Sequence, residues 1–168
     1  MSLDGFIAKP GDDIQFLMRV AREGEDYGYG SFIKTVDTVL MGRKTYDKVL
    51  SMGVEFPHRE KECYIITRTP RSEEGNIRYY TGDLKALLDS LKQASGRNIF
   101  IDGGAEITNA LLKQGLIDEI YISIIPVILG SGVRLFSDDN PETGLMLQGS
   151  RHFETGLVQL HYVLEKMK

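Results

Sequence analysis

From Thr38 onwards, short apolar runs rich in β-branched residues alternate with segments that carry an amphipathic helical pattern. Apolar runs of this length predict buried strands, and their regular alternation with helices predicts parallel strands joined by helical crossovers. The strand-like runs cover residues 38–41, 63–67, 77–80, 98–101 and 119–129. The sequence therefore predicts an α/β protein with a mixed, mostly parallel central sheet flanked by helices.

The helical segments support the same architecture. Residues 84–94 have the clearest pattern, because Leu84, Leu87, Leu88 and Leu91 follow the spacing of a single helical face. This apolar face should cover the sheet. Further helices are predicted over residues 14–21, 45–50 and 105–114, with an irregular one over 26–36.

The C-terminal third predicts a different kind of pairing. Residues 145–153 and 157–166 are separated by Glu154-Thr155-Gly156 and predict an antiparallel hairpin at a sheet edge. The run from Ile120 to Ile125 is apolar at almost every position, so we expect that strand to be central and covered on both faces.

Length and charge limit the classes of partner. At 168 residues the chain suffices for one core, so we expect one domain over residues 1–168. The net charge of −4 gives no global attraction to nucleic acid or to an anionic membrane, and we expect neither as a partner. Cys63 cannot form an internal disulfide, and no apolar stretch reaches the roughly 20 residues of a membrane helix, which favours a cytoplasmic protein.

The absence of their sequence motifs argues against several enzyme classes. The three histidines His58, His152 and His161 lie far apart and lack neighbours at metal-ligand spacing, so we expect no metal. The chain has no Walker phosphate loop, no Gly-x-Ser-x-Gly elbow and no complete dinucleotide fingerprint. Residues 55–58 are expected to form a polar, flexible loop.

Three predicted strand ends carry groups suited to an anion. They lie at the carboxyl ends of the strands, the edge at which open α/β sheets bind ligands. The first offers a helix start with two cations, the second a hydroxyl and a guanidinium, and the third paired glycines that let a diphosphate approach the backbone. The residues are Gly42, Arg43, Lys44 and Thr45, then Thr67 and Arg68, then Gly103, Gly104, Ala105 and Glu106.

Each junction also has an ordinary structural interpretation. Gly42 can simply turn the chain while Arg43 and Lys44 remain solvated, and Gly103-Gly104 can form a tight turn. Three phosphate-competent junctions on one sheet edge nevertheless favour an extended, polyanionic dinucleotide.

Four segments carry a resemblance to a known family. They are Ser2-Leu3-Asp4-Gly5-Phe6-Ile7-Ala8, Val39-Leu40-Met41-Gly42-Arg43-Lys44-Thr45-Tyr46, Ile101-Asp102-Gly103-Gly104 and Pro126-Val127-Ile128-Leu129-Gly130-Ser131-Gly132-Val133-Arg134-Leu135-Phe136. Together they resemble the dihydrofolate reductase-like superfamily, and specifically the C-terminal reductase domain of riboflavin biosynthesis. The likeness covers nearly the whole chain.

The resemblance implies an NADPH site and a homodimer. Gly42, Arg43, Lys44 and Thr45 would hold phosphates, Thr67 and Arg68 the 2′-phosphate, and the segment from Gly103 through Gly104 and Ala105 to Glu106 the pyrophosphate. It also implies a cis peptide at Gly103-Gly104. The loop Leu129, Gly130, Ser131 and Gly132 would line the substrate cleft.

Two acids are candidate catalytic residues. The opening segment from Leu3 to Ala8 is predicted to be the tail of a first strand that bends at Asp4-Gly5. The resemblance supports a position of Asp4 facing the substrate; the alternative is that Asp4 hydrogen-bonds the turn around Gly5. Asp26 falls where dihydrofolate reductases carry their substrate-binding acid, but a carboxylate at a helix start is an equal alternative.

The implied function is an NADPH-dependent reductase that transfers hydride to a C=N or C=O of a heterocyclic or ribosylamino substrate. The reductase substrate of riboflavin biosynthesis, 5-amino-6-(5-phosphoribosylamino)uracil, is one candidate. The alternatives are a dihydrofolate reductase and a non-catalytic NADP(H)-binding domain.

Overall fold

Parallel strands, antiparallel strands and short helices make up the α/β fold of the computed structural model, which describes residues 1–94 and 96–165. The strands are β1 (Phe6–Ala8), β2 (Val36–Gly42), β3 (Glu62–Ile66), β4 (Ile77–Tyr80), β5 (Asn98–Gly103), β6 (Glu119–Ile124), β7 (Val133–Arg134), β8 (Leu145–His152) and β9 (Val158–Leu164). The α-helices are α1 (Tyr29–Ile33), α2 (Arg43–Ser51), α3 (Leu84–Gln93) and α4 (Ala105–Lys113), and a 3-10 helix spans Gln15–Val20. The α/β class is as predicted.

The chain divides into two compact units. One is formed by Asp26–Leu111, and the other by Met1–Glu25 together with the chain from Leu112 onwards. Whether they act as the one domain expected from the sequence stays a prediction.

The Asp26–Leu111 unit contains a four-stranded parallel sheet in the order β4-β3-β2-β5. β2 lies between two neighbours, and Val39, Leu40 and Met41 are fully buried because both faces of this strand are covered. In register, Gly42 pairs with Ile66 of β3 and Met41 with Gly103 of β5. The carboxyl ends of these three strands therefore lie side by side.

The other unit contains two antiparallel sheets. β6, β9 and β8 form a three-stranded sheet with β9 in the middle, which confirms the predicted antiparallel pairing of the last two strands. β1 pairs with β7, a short strand that the sequence did not predict. Every residue of β8 is exposed, so this sheet has an uncovered outer strand.

Two expectations about elements were wrong. The irregular helix over residues 26–36 shrinks to Tyr29–Ile33, because Tyr27 and Gly28 have φ values of 54° and 83° and Val36 joins β2. The apolar run around β6 is not covered on both faces: β6 is an outer strand of its sheet, and Tyr121 is 49% exposed with its ring stacked on His161. The predicted end of the last strand, Lys166, lies outside the described residues.

In the part of the chain that the structure describes, no helix combines the length and the apolar character needed to span a bilayer.

Candidate functional site

The first predicted junction begins helix α2. Gly42 is its N-cap, in extended conformation, and no side chain among residues 1–94 and 96–165 caps the first turn. The leading N–H groups of a nine-residue helix thus lack a side-chain acceptor, which makes this end suitable for an anion. Arg43 and Lys44 follow at once, so the sequence prediction for this junction agrees with the local geometry.

The first and third junctions meet in space. A Cβ placed on Gly42 would lie 3.7 Å from the backbone nitrogen of Gly104, and one placed on Gly104 would lie 2.9 Å from Thr45 Oγ1. A Cβ on Gly42 would also lie 3.2 Å from Ile107 Cγ1, so at both positions a side chain would crowd a neighbouring side chain, and glycine leaves this junction open. The N-terminal ends of α2 and α4 are therefore neighbours.

The Gly103-Gly104 peptide is cis, as predicted. Gly103 has φ +96°, a conformation that side chains rarely adopt, and no atom lies within 4 Å of where its Cβ would be. Ala105 then starts α4, with Glu106 in the first turn. The third junction consequently presents bare backbone toward open space.

The second junction follows β3 on the same sheet edge. The Thr67 nitrogen donates to Tyr80 O at 2.9 Å, and its Oγ1 accepts from Thr69 N at 3.2 Å. Arg68 is exposed, and its charge is close enough to contribute to lowering the pKa of Glu106. The structure thus brings all three junctions together, and we call these ten residues the junction cluster: Gly42, Arg43, Lys44, Thr45, Thr67, Arg68, Gly103, Gly104, Ala105 and Glu106.

Two cations of the junction cluster, Lys44 and Arg43, have acidic partners. Lys44 Nζ lies 2.8 Å from Glu106 Oε1, and this hydrogen bond, followed by the lysine charge, lowers the pKa of Glu106. Arg43 pairs with Asp47 one turn along α2. Both members of the Lys44 pair are about three-quarters exposed, so water screens the attraction and the pair can open at low cost.

Asp26 does not present a free carboxylate. Its two oxygens accept from the backbone nitrogens of Gly28 and Gly30 at 2.8 and 2.9 Å, and these bonds lower its pKa. It therefore holds the turn that leads into α1. This engagement agrees with the alternative given above, a carboxylate at a helix start, and a catalytic role for Asp26 stays a prediction.

Asp4 is likewise engaged by backbone in the other unit. Its Oδ1 accepts from Leu129 N at 3.0 Å and its Oδ2 from Gly130 N at 2.7 Å. A hydrogen bond from Ser2, followed by the two amides, lowers the pKa of Asp4 to about 2. We call this arrangement of Asp4, Leu129 and Gly130 the Asp4 clamp; it fixes the loop predicted to line the substrate cleft.

The rest of that loop leads into β7, which pairs with β1. Ser131 is exposed. Gly132 has φ +144°, and a Cβ there would collide with the backbone oxygen of Ala8, so only glycine fits. Arg134 on β7 lies over the Phe6 ring, 4.7 Å from its centroid. The glycine is thus required by the β1–β7 pairing.

The sequence did not predict one polar pair in the Asp26–Leu111 unit, His58 and Asp102. His58, expected in a flexible loop, is buried, and its Nε2 lies 2.8 Å from Oδ2 of Asp102, which directly precedes Gly103 at the end of β5. The expectation for His58 was wrong because Phe56 and Phe100 pack against its ring. The neighbouring Phe56 was the only sequence signal for burial.

The parallel sheet and the antiparallel C-terminal sheet are consistent with the dihydrofolate reductase-like superfamily. The chain belongs to the RibD C-terminal domain family, whose model matches residues 49–159. The resemblance seen in the sequence is thereby confirmed.

Three known proteins illustrate this relationship. The chain is 44% identical to the uncharacterized protein YwjB of Bacillus subtilis (strain 168), over 97% of this chain and 93% of that one. A putative riboflavin biosynthesis protein from Shewanella sp. PV-4 superposes with a TM-score of 0.89 at 30% identity, covering 98% and 95% of the two chains. A diaminohydroxyphosphoribosylaminopyrimidine deaminase/5-amino-6-(5-phosphoribosylamino)uracil reductase from Thermotoga maritima shares the fold, with a TM-score of 0.70 at 16% identity over 96% of this chain and 54% of that one.

Proposed function

We propose that the protein is an NADPH-dependent reductase that transfers hydride to a C=N or C=O carbon of a heterocyclic or ribosylamino substrate. Membership of the RibD C-terminal domain family supports a reductase role. The observation that carries the proposal is the meeting of two helix N-termini, α2 and α4, at glycine backbone beside three cations.

The junction cluster fits a dinucleotide with several phosphates. The uncapped first turn of α2 and the open backbone at Gly103 can receive a diphosphate without a side chain in the way. Lys44 can exchange its exposed partner Glu106 for a phosphate oxygen, because a surface ion pair is worth little in water. These features suit the pyrophosphate of the cofactor.

Thr67 and Arg68 account for the preference for NADPH over NADH in this proposal. Arg68 is exposed at the end of β3, where its guanidinium can form a bidentate pair with a phosphate monoester. The hydroxyl of Thr67 already accepts from its own loop and retains its proton for donation. The 2′-phosphate is the group that distinguishes the two cofactors.

When bound, NADPH supplies the hydride, and the protein supplies orientation and electrostatics. Asp4 and Asp26, the two acids proposed from the sequence, each give both oxygens to backbone N–H groups. We therefore assign them to positioning: Asp26 holds the approach to α1, and Asp4 holds Leu129 and Gly130. The proton that completes the reduction then comes from water or from another acid.

The engagement of Asp26 also weighs against the runner-up, a dihydrofolate reductase, since that reading needs an acid facing the pterin. The protein from Thermotoga maritima is named for the reduction of 5-amino-6-(5-phosphoribosylamino)uracil. That compound is accordingly the first substrate to test.

A homodimer in the cytoplasm completes the proposal. β8 is an exposed outer strand, and Leu145, Met146 and Leu147 are each about half exposed along it. Uncovered strand edges of this kind are usually protected by a partner. Light scattering tests the dimer, and the free, buried thiol of Cys63 agrees with a reducing compartment.

The test is NADPH oxidation, followed by absorbance, with the ribosylaminouracil phosphate as substrate. Arg43→Ala should lose most of the rate. Arg59→Ala is a matched control, because Arg59 also pairs with an acid one turn away, Glu55, but lies outside the junction cluster. NADPH binding without turnover of any carbonyl or imine substrate would favour the non-catalytic alternative.

A further inference from the structure

His58 is a buried imidazole that the proposed function does not use. Only 1% of its side chain is exposed. Its ring packs edge-on against Phe56 and Phe100, with centroids 5.5 and 6.2 Å away, and its carbonyl accepts from Asn76 Nδ2 at 2.9 Å. Packing on both sides and a tethered backbone hold the ring in one position.

The two ring nitrogens of His58 have different surroundings. Nε2 lies 2.8 Å from Asp102 Oδ2, whereas Nδ1 is buried and has no hydrogen-bond partner among residues 1–94 and 96–165. A cationic ring would bury an N–H at Nδ1 without an acceptor, but a neutral ring with its proton on Nε2 leaves only an unused lone pair there. The neutral form that donates from Nε2 fits the site best.

One carboxylate oxygen of Asp102 is hydrogen-bonded to His58, and part of the side chain is exposed to solvent. Its side chain is 31% exposed, and it stands directly before the Gly103-Gly104 peptide of the junction cluster. After burial, the charge of Asp102 is the next cause of the raised pKa of Tyr29, so the carboxylate lies near this phenol as well as beside the imidazole. A carboxylate accepts hydrogen bonds and repels phosphate, so its open side suits an N–H donor on a ligand.

We propose that His58 is a positioning residue that fixes the Asp102 carboxylate, so that Asp102 accepts a hydrogen bond from an amino or amide N–H of a heterocyclic substrate. The proposal rests on the proposed function and adds to it a recognition group for the substrate. A preorganised acceptor costs little to order when the ligand arrives, which is why the buried partner matters.

Turnover of 5-amino-6-(5-phosphoribosylamino)uracil, NADPH affinity and melting temperature are measured for His58→Leu, His58→Gln and Asp102→Asn. We expect His58→Leu and Asp102→Asn to lower kcat/KM by about 10- to 100-fold, the worth of a hydrogen bond to a charged group, with NADPH affinity unchanged. His58→Gln should restore most of the loss, because its amide can donate to Asp102. His161→Leu is the control: His161 pairs with Glu119 at the same 2.8 Å, in the other unit.

Full activity of a folded His58→Leu or of Asp102→Asn overturns the proposal. So does an equal fall of NADPH affinity and kcat/KM, which would mean a merely structural pair. If His58→Leu does not fold, Asp102→Asn and His58→Gln still decide. If the wild type binds NADPH but turns over no substrate, the proposed function is wrong. The positioning role of His58 is then tested by its ¹⁵N chemical shifts, and a proton on Nδ1 overturns that role.

Discussion

The junction cluster and the Asp4 clamp belong to different units, and both looked like ligand sites in the sequence. In the junction cluster Lys44 and Arg68 are exposed, no described side chain caps the first turn of α2, and Gly103 faces open space. In the Asp4 clamp the carboxylate has given both oxygens to backbone N–H groups. The comparison shows that residue type alone predicts polarity, whereas the geometry decides whether the polar atoms are still available to a ligand.

The strands of the two units also differ in burial. The junction cluster stands at the end of β2, which is buried on both faces, while the strand β8 of the other unit is exposed throughout. A rigid strand end can hold a ligand-binding backbone in place better than an uncovered one. Four measurements test the comparison, from the largest expected effect to the smallest.

Removing core volume beneath the junction cluster should have the largest effect. Leu40→Ala empties a fully buried position on β2 and should lower the free energy of unfolding by about 2–5 kcal/mol. Leu147→Ala removes the same atoms from exposed β8 and should change it by less than about 0.5 kcal/mol. Denaturant titration measures both, and equal losses would contradict the difference in support.

Arg68→Ala tests whether an exposed cation of the junction cluster binds the 2′-phosphate. We expect NADPH affinity to fall by about 10- to 100-fold, the loss of a charge-assisted hydrogen-bond pair, while NADH affinity stays the same. Fluorescence titration with each cofactor measures the ratio, and Arg59→Ala provides the control for loss of an arginine. An equal loss for both cofactors would assign Arg68 to another phosphate or to the fold.

Asp4→Asn tests whether the clamp is structural. Hydrogen bonds lower the pKa of Asp4 from its usual 3.8 to about 2. The ionised carboxylate therefore stabilises the fold fully at pH values above 3.8. That contribution is lost as the pH falls toward about 2. The melting temperature of wild type should therefore exceed that of Asp4→Asn near neutral pH, and the gap should narrow in acid. A gap that widens in acid would refute the clamp.

Glu106→Gln should have the smallest effect, and in the favourable direction. The change removes the negative charge that competes with phosphate for Lys44, so NADPH affinity should rise by about 2- to 5-fold, in proportion to the small worth of an exposed ion pair. Calorimetry at low salt measures the change. Weaker binding would show that Glu106 contacts the cofactor as an acceptor.

Most of the fold was accessible from the sequence because its strong patterns are local. The leucine spacing of α3 and the apolar runs of β2 to β5 each depend on neighbouring residues only, and the structure confirms them. β7 was missed because two exposed residues carry no periodicity; its pairing with β1 depends on Gly132 fitting against Ala8. Burial of β6 was overestimated because apolar character does not reveal which side of a sheet stays uncovered.

The meeting of the three junctions at one sheet edge was predictable for the same reason, whereas their binding of phosphate stays a prediction. The junction residues were found because parallel strands bring successive carboxyl ends to one edge, and register then sets Gly42 beside Ile66 and Met41 beside Gly103. The pairing of His58 with Asp102 joins residues 44 positions apart through packing around Phe56 and Phe100, which no spacing rule encodes. The engagement of Asp4 by Leu129 and Gly130 is of the same long-range kind.

A calorimetric titration of the folded protein with NADPH tests the central claim most directly, because the function depends on the junction cluster holding phosphates. The account predicts saturable binding at one site per chain that weakens as salt is raised, as expected for exposed cations on phosphate. The absence of any heat or fluorescence change at low salt, with the protein still folded, would contradict it.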